Sequence, residues 1–372
     1  MFWKKIASFI FAHFFLFGFN TKVFTSSTPP PTATTSLAIA SSTSPAATST
    51  PIISKTASST PKSKSIAAKK VAPPIAATST SATPQPTQVV PDFVAINEFT
   101  RRTIVNILCT TKGGELSPIS GTGVLVGSQG LILTNAHLGQ YFLLKDFRQK
   151  DFIECVARTG SPAYPKYHLE LVYISPTWVA NNKTLLKEQN PLGTGENDFA
   201  FLRITDSIDG TALPDKFPYL AMDIREVIGV GEPVLLASYP AGFLGGLSIL
   251  QDLSITTAIT NVADLFTYKD RTIDLISVPG TVVSQKGSSG GAVVDGGATL
   301  IGIISTSSNG DTTSQRDLRA ITLAYINRDL QSELGVTLAQ FVSQDMAAFA
   351  KKFQEINVPS LSKLIEDELN KN

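Results

Sequence analysis

The 372-residue chain is poor in the side chains that bind metals or carry redox chemistry, with two cysteines, three histidines, three methionines and two tryptophans. Cys109 and Cys155 belong to no CxxC pair, and His13, His137 and His168 stand far apart. No zinc or cluster spacing exists, so no metal and no cofactor is expected. Charge is sparse as well. Charged residues are 16% of the chain and the formal net charge is +1, which lacks the basic footprint of a nucleic-acid binder. Nor is there an uninterrupted apolar run of the about 20 residues that a spanning helix needs. What is present is a hydrophobic fraction of 42%, enough for a folded part to bury a core.

The chain is uneven along its length. Lys4 and Lys5 precede an apolar stretch from Ile6 to Phe19, broken by Ser8 and His13. That length suits the core of a signal peptide, and the preceding lysines favour a cytoplasmic N-terminus with the remainder exported. Phe19-Asn20-Thr21-Lys22 is a poor cleavage site, so residues 1–24 read as a signal peptide or as an uncleaved anchor extended by Val23 and Phe24. Residues 25–90 are mostly Ser, Thr, Ala and Pro, with no aromatic residue. Such a segment buries too little apolar surface to offset its ordering entropy and is expected to be a disordered linker. Placed after an export signal, it would tether a folded domain near a membrane or wall. The expected location is extracytoplasmic, either membrane-anchored or secreted.

Folded sequence begins near Asp92, with a short helix over residues 92–102. Short apolar runs then follow, including 103–108, 123–126, 131–133, 152–156, 169–174, 199–204, 233–237, 273–278, 292–294 and 300–304, separated by Gly, Pro and Asn. Many short strands with turn signals between them indicate an all-β sandwich or barrel. No strand and long-helix alternation argues for a Rossmann or TIM architecture. Residues 327–334 suit a closing helix stopped by Gly335. Beyond it, Val342, Met346, Phe349, Phe353 and Ile356 recur at 4-3-4-3 spacing on one helical face. Pro359 interrupts the run, and Leu361, Leu364, Ile365 and Leu369 begin a second amphipathic stretch. Residues 336–372 are thus expected as an amphipathic tail packing on the barrel. That tail and residues 91–102 are the candidates for self-association.

Three segments carry chemistry. Leu131-Ile132-Leu133-Thr134-Asn135-Ala136-His137 is a strand running into a histidine. Asn197-Asp198-Phe199-Ala200-Phe201-Leu202 is an aspartate opening an apolar run, and Gly287-Ser288-Ser289-Gly290-Gly291 sets a serine among three glycines. Acyl transfer by serine needs a base for the hydroxyl proton and a carboxylate to fix the imidazole tautomer. It also needs backbone N–H groups aimed at the developing oxyanion, which glycines permit. Each segment alone is a weak signal. Together they stand in the order His, Asp, Ser, the order of chymotrypsin rather than of subtilisin or the α/β-hydrolases.

On these residues the sequence resembles the two-barrel trypsin-like serine peptidases, and most closely the bacterial HtrA type. The resemblance also includes Thr103-Ile-Val-Asn-Ile, Ser120-Gly-Thr-Gly-Val, Val230-Gly-Glu-Pro-Val-Leu-Leu-Ala and Leu300-Ile-Gly-Ile-Ile-Ser. It implies that residues 91–335 form two six-stranded antiparallel barrels with the active site between them. Ser289 would be the nucleophile, His137 the general base and then acid, and Asp198 the orienting carboxylate. The N–H groups of Gly287 and Ser289 would form the oxyanion hole, and polypeptides would be the substrates. Val283 falls where trypsin carries its charged pocket floor, with Ser305, Thr306 and Ser307 as a pocket wall. That implies cleavage after small or medium apolar residues rather than after Lys or Arg. Ser288 replaces the aspartate that captures a freed N-terminus in trypsin-type zymogens, and no PDZ-like region follows Gly335. By the same resemblance, Cys109 and Cys155 fall on the first and third strands, which are not neighbours, so two buried thiols are expected. The alternative to an enzyme is a catalytically silent trypsin-like fold serving as a surface binding module.

Overall fold

A computed structural model describes residues 90–371 except 115, 189–192, 227, 243, 269–270 and 308–316. The expected export signal and nearly all of the expected linker lie outside the described residues. Among the described residues, no helix is long and apolar enough to cross a membrane.

Asp92 caps the first helix, α1 (Phe93–Arg101), by accepting from the N–H groups of Val94 and Ala95. Strands β1 (Ile104–Thr111), β2 (Ile119–Gly127), β3 (Leu131–Thr134), β4 (Ile153–Thr159), β5 (Tyr164–Ile174) and β6 (Ala200–Ser207) follow. They close into an antiparallel barrel in the order β1-β2-β3-β6-β5-β4. Closure pairs β1 with β4 and sets Cys109 directly opposite Cys155. The two sulfurs are bonded. The expectation of two thiols is therefore corrected, because Cys155 lies on the fourth strand, and barrel closure makes the fourth strand a neighbour of the first.

The second sheet contains β7 (Pro233–Ser238), β8 (Thr256–Asn261), β9 (Asp264–Phe266), β10 (Leu275–Val278), β11 (Ala292–Val294), β12 (Leu300–Ser307) and β13 (Leu318–Thr322). Its order is β8-β7-β11-β12-β13-β10-β9, all antiparallel, curled into a half-barrel with β8 and β9 at its edges. The all-β architecture of two antiparallel barrels is thus present, with seven strands rather than six in the second sheet. Its central strands are buried on both faces. Leu235, Ala292, Leu275 and Ile303 join the large core that fills the first barrel, whereas Val234, Val293, Ile276 and Ile304 form a second cluster. Two-sided burial explains why these strands read as continuous apolar runs instead of alternating ones.

Helix α2 (Ala136–Leu143) follows β3, α3 (Pro176–Asn182) follows β5, and α4 (Gly246–Gln251) follows β7. The closing helix, α5 (Leu323–Leu334), starts four residues earlier than its sequence suggests, because Thr322 ends β13 and caps the helix through the Tyr325 N–H. Gly335 closes it at φ 73°. The tail forms α6 (Leu338–Val342), α7 (Met346–Ile356) and α8 (Val358–Leu369). Pro359 sits in the first turn of α8, where its missing N–H costs nothing. Phe341 is fully buried against Phe201, Tyr173 and Phe349, and Phe353 packs on Tyr173. The tail therefore packs on β5 and β6 of the first barrel.

Candidate active site

Strand register brings His137 to Asp198. Thr134 at the end of β3 is the partner of Ala200 at the start of β6. His137 lies three residues beyond Thr134 and Asp198 two residues before Ala200, so both emerge at the same end of an antiparallel pair. His137 Nδ1 lies 2.9 Å from Asp198 Oδ2, and its backbone N–H donates to Oδ1 at 2.9 Å. Asn135 Nδ2 donates to the Asp198 carbonyl at 2.9 Å, which ties the two chain segments together. Asn197 holds a left-handed φ of 56°, tolerated by asparagine, with its N–H on Tyr325 Oη and its amide on Asp329.

Asp198 is buried, and its Oδ2 also accepts from Ser305 Oγ at 2.8 Å. Burial works to raise its pKa. The attraction of His137, the side-chain and backbone hydrogen bonds from His137 and the bond from Ser305 outweigh it and hold the carboxyl below its ordinary value. An ionised carboxylate only accepts, so Nδ1 carries the imidazole proton and Nε2 is left with its lone pair. The His137 side chain is 26% exposed, so that nitrogen is on a ring open to one side.

Ser289 arrives from the second sheet, in the loop before β11. Its carbonyl accepts from the Thr122 N–H at 2.8 Å, and the Gly290 N–H donates to the Ile304 carbonyl at 2.7 Å. The loop is thus fastened to β2 of one barrel and β12 of the other. Gly290 has φ 81°, and a Cβ there would lie 2.0 Å from the Thr122 carbonyl oxygen and 2.5 Å from Thr134 Oγ1. Only glycine fits. Thr134 Oγ1 itself donates to the Thr122 carbonyl, three residues before His137. Ser289 is half-buried, and no hydrogen bond joins its hydroxyl to His137. Among the described residues, no acceptor takes the N–H of Gly287 or of Ser289.

The other expected site residues are placed differently. Ser305, expected as a pocket wall, bonds Asp198 through its hydroxyl. Val283 is fully buried in the second apolar cluster and its carbonyl accepts from Ser288 Oγ. It is a core side chain rather than an open pocket floor. Thr306 and Ser307 lie at the end of β12. Ser288 is also bonded to Ser238 Oγ, so its site is filled by short-range partners. Sequence reasoning missed Thr122, whose Oγ1 donates to the Gly287 carbonyl at 2.8 Å and accepts from the Tyr239 N–H. The Ser120-Gly-Thr-Gly-Val segment was the available signal for it.

Paired antiparallel barrels with a His–Asp pair and a glycine-flanked serine at their junction define the chymotrypsin-like architecture. Residues 121–303 match the family model of the trypsin-like peptidase domain. That part of the chain is a trypsin-like peptidase domain. Among solved structures the chain is similar to the HtrA-type protease AlgW with a tripeptide, at 17% identity and TM-score 0.42, covering 66% of this chain and 65% of that one. It therefore spans just under two thirds of the AlgW chain. It is also similar to Deg5, at 16% identity and TM-score 0.42, covering 66% of this chain and 96% of Deg5. A comparison with curated proteins found no match.

Proposed function

We propose that this protein is an exported serine endopeptidase that cleaves peptide bonds through His137, Asp198 and Ser289 and an acyl-enzyme. The observation that carries the reading is the convergence at one junction. His137 is hydrogen-bonded to an ionised Asp198, the Ser289 loop is bonded to Thr122 on β2, the strand paired with the β3 that leads to His137, and two N–H groups at the Ser289 loop lack acceptors among the described residues. In the proposed reaction Ser289 Oγ attacks the carbonyl carbon of the scissile bond while its proton passes to His137 Nε2. The oxyanion is held by the N–H groups of Gly287 and Ser289. His137 then delivers the proton to the leaving amine, and the C–N bond breaks. A water, deprotonated by His137, hydrolyses the ester and restores Ser289. Asp198 remains ionised and stabilises the imidazolium.

The Cys109–Cys155 bond supports export, because such bonds persist in oxidising compartments. The absence of an acidic residue in 281–286 supports cleavage after small or medium apolar residues rather than after Lys or Arg. A peptide-library profile is expected to show that preference, and one dominated by Lys or Arg would refute it. The principal test is covalent labelling. A phosphonate or sulfonyl fluoride is expected to modify Ser289, and Ser289→Ala is expected to fold, resist the label and lose hydrolysis. A purified protein that neither labels nor cleaves peptides would leave the silent binding module as the better reading.

A further inference from the structure

Behind the candidate oxyanion loop lies a buried arginine that the proposed reaction does not use. Arg158, on β4, is fully buried, and its partners are all neutral. Nη1 donates to Asn106 Oδ1 at 3.3 Å and to the Ile249 carbonyl at 2.9 Å, and Nη2 donates to the Ala163 carbonyl at 2.6 Å and the Leu250 carbonyl at 2.8 Å. Nε has no partner. A desolvated guanidinium without a carboxylate is costly to keep, and a leucine or methionine would fill such a site more cheaply. The carbonyls it grips include the last turn of α4, where unpaired oxygens and the helix dipole favour a cation. Helix α4 belongs to the segment between β7 and β8, which is hydrogen-bonded to the Ser289 loop through Ala241 and Lys286.

That segment is fastened at both ends. On the first-barrel side, Tyr239 Oη donates to the Gly160 carbonyl at 2.7 Å and the Ala163 N–H donates to Leu253. On the other side, the Ala241 N–H donates to the Lys286 carbonyl at 2.7 Å. In a trans peptide the C=O and the following N–H point in opposite directions. Holding the Lys286 carbonyl toward Ala241 therefore turns the Gly287 N–H the other way, out of the loop. The Gly287 φ of 93° belongs to this arrangement, and a Cβ there would lie 2.7 Å from the Tyr239 carbonyl oxygen.

We infer that Arg158 is a positioning residue: by clamping the 239–253 segment to the β4–β5 hairpin, it holds Ala241 against Lys286 and so aims the Gly287 N–H at the oxyanion. This rests on the peptidase reading above. Loss of the clamp frees the Lys286–Gly287 peptide to rotate, which removes one oxyanion donor without touching His137 or Asp198. In full-length protein, Arg158→Met is expected to lower kcat about 10–100-fold, less than the about 10²–10³-fold of a donor removed outright because the peptide is loosened rather than deleted, with KM little changed. Arg158→Lys should recover part of the loss. Tyr239→Phe keeps the shape and removes only the bond to Gly160, and is expected to lower kcat in the same direction by a smaller factor. The acid limb of the pH–rate profile should stay in place in all three, because the His137–Asp198 pair is intact. A wild-type protein that cannot be labelled at Ser289 sinks the peptidase reading and this inference together. A labelled, active wild type beside a folded Arg158→Met variant with wild-type kcat overturns the inference alone. Should Arg158→Met fail to fold, a folded Tyr239→Phe with wild-type kcat overturns it instead.

Discussion

At Asp198 two effects of opposite sign meet. Burial disfavours the carboxylate, while His137 and the Ser305 hydroxyl favour it and prevail. Its folded pKa is below the unfolded value of about 3.9, so the stabilisation is complete above that pH and is lost as pH falls through the depressed value. Asp198→Asn is therefore expected to flatten the acid side of a Tm-versus-pH curve. It should also lower kcat by about 10⁴-fold, because an amide at this place favours the wrong imidazole tautomer. Unchanged turnover in a folded Asp198→Asn would remove Asp198 from the mechanism. His137, Asp198 and Ser289 could be read from the sequence because each sits in a short motif. The bond from Ser305 to Asp198 was not read. The two residues are 107 positions apart in the chain, and only the approach of β12 to the start of β6 brings them together.

Among the elements, most of the strands that could be read carry a continuous buried apolar run, as β3, β7, β10, β11 and β12 do, and β13 escaped because Arg319 and Thr322 interrupt its short run. Strands β8, β9 and β13 were missed. β8 is Thr-Thr-Ala-Ile-Thr-Asn on a sheet edge, partly exposed along its length, and β9 has three residues. Edge strands need little apolar content, so their sequences carry little signal. Helix α2 was read only as the end of a strand, because its apolar residues are set by packing on β5 and β6. The disulfide belongs to this scale, since it fastens β1 to β4 at the seam that closes the barrel. For a sequence separation of 46 residues, chain entropy gives a loss of about 4 kcal/mol on removing it. Cys155→Ser is expected to lower the denaturant midpoint and the unfolding free energy extrapolated from it, the latter by that order, with a steeper slope because the unfolded chain is no longer cross-linked. An unchanged midpoint would mean that the bond does not form in the native protein.

At the scale of the whole molecule, the peptidase domain is joined to two further parts with different physics. The tail is held by aromatic packing on the first barrel through Phe341 and Phe353. The segment over residues 25–89 has no composition from which a core could be made. Hydrogen exchange of the full chain should show rapid exchange throughout 25–89 beside strong protection in β1–β6. Protection in 25–89 would refute the linker reading. Sequence alone determined the all-β class and the order of the three chemical residues, because local apolar runs and glycine clusters are one-dimensional properties. Tertiary structure decided the Cys109–Cys155 bond, the Ser305–Asp198 contact, the half-barrel form of the second sheet and the buried place of Arg158. Each of these depends on which distant segments become neighbours when strands pair, and that choice is made by the packing of the whole core.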